Sequence, residues 1–100
     1  MSTLQAGQSG EYGELVKLAL PEGLALVFVP SLGALLTRAQ QLSDAPLTEQ
    51  QVLRIRDRSN VVAVHHDVAR RMEEQRGYVD IDAADAWRDW SRLQDGDVSA

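Results

Sequence analysis

Asp80, Asp82 and Asp85 follow one another at spacings of two and three in RGYVDIDAADAWRDW, residues 76 to 90. Carboxylates so closely set could hold a calcium ion or share an acid–base step. A calcium loop of the EF-hand type needs oxygen ligands at alternate positions, a glycine at the sixth and a glutamate at the twelfth. Counted from Asp80, the fifth position is Ala84, the sixth Asp85 and the twelfth Ser91, so the pattern fails three times. The stretch reads instead as a helix entrance, with Asp82 as N-cap and Asp85 in the first turn, where the positive end of the helix dipole favours both charges.

His65-His66-Asp67 is the one histidine cluster in the sequence. Neighbouring histidines point about 100° apart on a helix and to opposite faces of a strand, which sets them poorly for one shared metal. His66 could act as a general base if the fold brought it to Asp57 or Asp80. Nucleophile-elbow, phosphate-loop and dinucleotide signatures do not occur, and the absence of cysteine excludes thiolate zinc sites and thiol nucleophiles. Arg54, Arg56 and Arg58 make the densest basic stretch, but Glu49 and Asp57 lie close enough in sequence to pair with them, giving a solvated, ion-paired face. No cofactor and no metal are expected.

The elements that would carry these residues are legible from periodicity. Residues 1 to 11 are mostly small and polar and are expected to form a flexible tail, as are residues 95 to 100; a single domain is expected over 12 to 94. ELVKLAL and LALVFV flank the turn signal Pro21-Glu22-Gly23, which suggests a hairpin, although Leu15, Leu18 and Ala19 also fit a short helix. Pro30 suits a first helical turn, and Leu32, Leu35, Leu36, Ala39 and Leu42 then form one stripe. Thr48 and Gln51 have capping-box spacing ahead of Val52 and Ile55. The β-branched VVAV predicts a break near Ser59-Asn60, with Asp67 capping a fresh helix that Gly77 closes. Ala83, Ala86, Trp87, Trp90 and Leu93 line the last helix. The fold class that follows is α+β and helix-rich, with a short N-terminal hairpin or strand packed on three or four helices.

Charge narrows the partners. A formal net charge of −5 opposes the counterion release that drives nucleic-acid binding and favours a basic protein partner. The stretch Leu24 to Leu36 is interrupted by Pro30 and Gly33 and is too short to span a bilayer, and the N-terminal residues lack the basic and apolar regions of a signal peptide. A cytoplasmic protein without membrane contact is expected.

PLTEQQVLRIRDRSN followed by RGYVDIDAADAWRDW resembles a pattern of small bacterial proteins, L-T-E-x-x-V-x-x-I-R-D ahead of R-G-Y-x-D-I-D-x-x-x-x-W-x-x-W, over about Val27 to Leu93. The resemblance implies a bacterial source and carries no activity and no site residue. Within it Ile55 and Trp87 are expected to be buried, Gly77 to supply a left-handed cap, and Arg56 and Arg76 to bridge to Asp57, Asp80 or Asp82. An Arg76 pair across the turn would make the stretch a structural clasp.

Residues 80 to 97 hold six aspartates and two arginines. This concentration suggests a non-enzymatic, acidic protein-binding module with Asp85, Asp89 and Asp95 as partner-binding residues, and analogy with small acidic bacterial domains suggests the immunity, antitoxin or secretion-adaptor kind. The alternative is a homo-oligomer, a dimer at its simplest, in which the LALVFV strand adds to its counterpart in a second chain. A third reading is an enzyme or metal protein using His65 or His66.

Overall fold

The β-branched run Asn60–His65 forms the middle strand of the molecule, and its position organises everything else. In the computed structural model, which describes residues 3–94, three antiparallel strands lie in the order β1 (Ser9–Glu11), β3 (Asn60–His65), β2 (Leu24–Phe28). Leu24 pairs with His65 and Phe28 with Val61, while Ser9 pairs with Val62 and Glu11 with Asn60. Side chains alternate across a strand, so Leu24, Leu26, Phe28, Val61 and Ala63 share one face, and Ala25, Val27, Val62 and Val64 the other. The first face belongs to the core, with Phe28, Val61 and Ala63 almost wholly enclosed. The helix-rich α+β class is therefore the observed one.

Helices α1 (Tyr12–Leu15), α2 (Leu32–Gln41), α3 (Glu49–Arg58), α4 (His66–Arg76) and α5 (Ala86–Gln94) complete the chain, with a 3-10 turn at Ala83–Asp85 leading into α5. The core joins Leu32 and Leu36 of α2, Val52 of α3, and Ala86 and Trp90 of α5 to Phe28 and Val61 of the sheet. Trp90 is only 2% exposed, whereas Trp87 and Ile55, expected to be buried, pack half-buried at the margin of this cluster. α4 has no fully buried residue; Val68, Ala69 and Met72 are half-covered, and the helix runs against β2 and β3. One side of the sheet thus carries a full core and the other a thin cover.

Local signals placed several boundaries. Thr48 Oγ1 accepts from the Gln51 amide at 3.2 Å and the Gln51 side chain accepts from the Thr48 amide at 2.8 Å, the reciprocal bonds of a capping box. α3 stops at Ser59, whose hydroxyl donates to the Ile55 carbonyl, and the chain turns into β3. Gly77 ends α4 at φ +79°. No atom lies within 4 Å of a Cβ built there, so Gly77→Ala carries a conformational cost alone, about 1–2 kcal/mol from the left-handed backbone. Denaturant unfolding should show that loss with an unchanged slope.

Four expectations are corrected. Residues 3 to 11 are part of the fold and do not form a tail: Leu4 is 1% exposed, its amide bonds the Ala19 carbonyl at 2.9 Å, and β1 takes up the second edge of β3. A backbone ladder needs no apolar side chains, which is why SGE gave no strand signal. The hairpin around Pro21-Glu22-Gly23 does not form; Tyr12–Leu15 is helical, and β2 pairs across two intervening helices with β3. Pro30 stands one residue before the cap, which is Ser31, its Oγ accepting from the Ala34 amide at 3.2 Å. α4 begins at His66 with His65 as its N-cap and without a side-chain cap, so Asp67 lies in the first turn, where it pairs with Arg71 at 3.7 Å. Residues 95 to 100, expected as a C-terminal tail, lie outside the described part.

Candidate functional site: the open edge of strand β2

Among the described residues strand β2 has β3 on one side only, so half of its backbone groups face outward. The His66 amide donates to the Gly23 carbonyl and the Val29 amide to the Asn60 carbonyl, which fixes the phase of the ladder. Antiparallel strands bond at alternate residues, so Ala25 and Val27 also turn toward β3, while Leu24, Leu26 and Phe28 direct their N–H and C=O groups away from it. Some of these outward groups are taken. The Leu24 amide donates to the Pro21 carbonyl at 3.2 Å, a His66 ring nitrogen lies 3.0 Å from the Leu24 carbonyl, and Arg76 donates to the Phe28 carbonyl at 2.6 Å. Both ends of the edge are blunted by side chains, a common defence of an unpaired strand. The Leu26 N–H, the Leu26 C=O and the Phe28 N–H have no hydrogen-bond partner among the described residues.

These three groups lie in a groove of about 430 Å³, within the range of ordinary ligand sites. Tyr12, Val16 and Leu20 form one wall and Ala69, Glu73 and Arg76 of α4 the other; residues 78–84 also line it. The Tyr12 ring stacks on Phe28 with centroids 5.3 Å apart, which places that wall on the core-facing side of β2. Val16 and Leu20 are about half exposed and Val79 is 76% exposed, so the groove presents apolar surface that the described residues leave uncovered. A second apolar hollow of about 590 Å³ lies between α2 and Tyr78–Ile81 with Leu93, over a helix whose backbone bonds are internal.

The aspartates of the 80–89 stretch do structural tasks. Asp80 accepts from the amides of Leu32, Gly33 and Ile81, each at 2.8 Å, and thereby caps α2 from 48 residues away in sequence. With Ser31 taking the Ala34 amide, the first three amides of α2 are all satisfied. Tyr78 Oη lies 2.7 Å from Ser31 Oγ, and Arg76 approaches Asp80 at 3.9 Å as well as bonding the Phe28 carbonyl. The expected clasp exists, and its main grip is the carboxylate on the helix end. Asp82 caps the 3-10 turn through the Ala84 amide at 3.0 Å. Arg56 pairs with Asp57 at 3.0 Å and donates to the Ala83 carbonyl, at 3.0 Å too.

Of the residues expected to bind a partner, Asp85 contacts Arg88 at 2.8 Å, and Asp89 lies 3.7 Å from the same arginine while accepting from the Asp82 amide at 3.1 Å. Both are half-buried and turned into the molecule's own contacts; Asp95 lies outside the described residues. His65 is exposed at the start of α4, and His66 is engaged with Leu24. Among the described residues no three histidine or carboxylate side chains gather as a metal would require. No helix among them is long and apolar enough to cross a membrane.

Sequence reasoning singled out the LALVFV strand as a surface for another chain but missed the walls of its groove. Val16 and Leu20, four residues apart, were the available signal, since both lie outside the stripe that Leu15 and Leu18 make toward the core. Comparison with protein-family models, with curated proteins and with solved structures gave no match, so the groove is interpreted from its own geometry.

Proposed function

We propose that the protein is a non-enzymatic binding module that docks a partner protein along the open edge of β2. The observation that carries this reading is the coincidence of three unpaired backbone groups with an uncovered apolar groove. Strand addition uses such a pair of features: the main-chain bonds supply affinity and the side-chain walls supply selectivity. The net charge of −5 favours a basic partner, through steering and suppression of acidic competitors more than through affinity. The internal pairing of Asp85 and Asp89 with Arg88 moves the weight from that acidic stretch to the groove.

Capture from a lysate of the source organism tests the assignment when two variants are compared with the natural chain. Ala69→Arg fills the groove from α4 and is expected to abolish capture; Asp85→Asn with Asp89→Asn is expected to leave it largely intact. The reverse pattern would place the interface on the acidic stretch, and an empty eluate from all three proteins would count against a constitutive partner.

A further inference from the structure

We infer that the groove takes a short extended segment of a different protein, antiparallel to β2, carrying an apolar residue opposite Leu26, a lysine or arginine beside it, and a position two residues earlier that accepts proline. This rests on the groove reading and follows from which edge groups are open. An antiparallel segment whose residue x sits opposite Leu26 exchanges both bonds with it, and the carbonyl of residue x−2 accepts from the Phe28 amide. All three open groups of β2 are then satisfied. The amide of x−2 would face the Phe28 carbonyl, which already holds Arg76, so proline at that position forfeits no bond.

The walls choose the side chains. Residue x shares the face of Leu26 and meets Tyr12, Val16 and Leu20, which calls for an apolar side chain. Its neighbours x−1 and x+1 turn to the α4 side, toward Ala69 and Glu73. The charged residues lining the groove are Glu73, Arg76, Asp80 and Asp82, and the single cation is held by the Phe28 carbonyl and Asp80. Asp80 is saturated by three amides, which leaves Glu73 and Asp82, both exposed, to attract a basic residue.

A second copy of this chain fits less well. A two-fold pairing of β2 edges centred on Leu26 keeps two bonds between Leu26 and its counterpart, but sets each Phe28 amide against a Leu24 carbonyl already bonded by His66. Centring on Val27 keeps two bonds from the Phe28 amides and sets each Leu26 amide against the Phe28 carbonyl that Arg76 occupies. Either register buries two unpaired N–H groups, a penalty avoided by a foreign segment that carries proline at x−2 and turns away before x+2, whose amide would meet the Leu24 carbonyl held by His66.

The test is a titration of the isotope-labelled full chain with a capped peptide built around Pro-Lys-Val, followed by backbone amide shifts. Its controls carry Pro-Glu-Val, or the same Pro-Lys-Val core with the valine amide N-methylated. Binding of the lysine peptide should move the Leu26 and Phe28 amides, and each control should bind about tenfold more weakly, the effect of one lost interaction of ordinary strength. Equal binding of lysine and glutamate peptides would overturn the charge rule and leave the groove reading standing. No shift up to millimolar peptide would overturn the inference; if Ala69→Arg still abolishes partner capture, the groove reading survives it, and if not, both fall. A doubled mass in solution with concentration-dependent Leu26 shifts and no peptide present would make a second copy the occupant and contradict the inference.

Discussion

Trp90→Ala should lower stability by about 3–5 kcal/mol, the largest effect expected of any single replacement in the chain. The indole is 2% exposed and lies in the cluster that joins α5 to Val52 of α3, Leu36 of α2 and Phe28 of the sheet. Removing it leaves a cavity in that cluster, which the surrounding side chains can fill only in part. A domain of this size has a total stability of about 5–15 kcal/mol, so the variant can unfold outright. Trp90→Phe keeps most of the volume and should retain a cooperative transition at lower denaturant. Equal, small losses for both replacements, measured by urea unfolding, would mean that Trp90 is not a keystone of this core. Trp87, half-buried at the margin, should tolerate alanine far better.

Asp80→Ala is expected to cost about 2–4 kcal/mol, because the carboxylate is a charge-assisted acceptor for three amides. Its side chain is 19% exposed, so water replaces those bonds only in part. Two of the amides belong to the first turn of α2, where the helix dipole adds to the attraction. Asp80→Asn retains one oxygen acceptor and should recover roughly half of the loss. Arg76→Ala should cost less, since its contact with Asp80 is 3.9 Å long and its stronger bond is to the Phe28 carbonyl. If alanine and asparagine at position 80 behave alike and cost under about 0.5 kcal/mol, the typical effect of an ordinary surface substitution, the long-range cap contributes nothing.

These two residues also mark what could be read from the sequence. Trp90 belonged to a stripe of period three and four, a signal carried within one element. The same holds for the Thr48 and Gln51 capping box, for Gly77 and for the change from helix to strand at Ser59-Asn60. Asp80 was legible as a carboxylate that could pair with Arg76 or serve His66 but not as a helix cap, because the helix it caps begins 48 residues earlier. Strand partners were hidden for the same reason: Leu24–Phe28 shows that it is extended, but that β3 is its only strand neighbour among the described residues depends on the folding of everything between them. Both faces of this apolar strand are at least partly covered. What periodicity does not encode is its edge, since the hydrogen-bonding direction lies at right angles to the side chains. In the acidic stretch, counting charges treats Asp85 and Asp89 as free, whereas both lie within ion-pair distance of Arg88, at 2.8 and 3.7 Å.

The candidate site is thus a backbone feature, held in place by side chains that the sequence marked for other reasons. His66 and Arg76, read as a possible base and a possible clasp, close the two ends of the edge. Between them the strand remains open over a length suited to a few residues of another chain. The restriction has a further physical use: a long, flat, open edge would invite indiscriminate pairing, and blunting both ends limits what can add there.

Hydrogen exchange at individual β2 amides, measured by NMR on dilute protein shown to be monomeric, tests that claim most directly. The Ala25 and Val27 amides bond β3, whereas the Leu26 and Phe28 amides face the groove. Leu26 and Phe28 should exchange on the order of 100-fold faster than their two neighbours, an alternation that follows the open edge. Protection of Leu26 equal to that of Val27 in the monomer would mean that the edge is already paired or covered, and would contradict the assignment of the groove as a binding site.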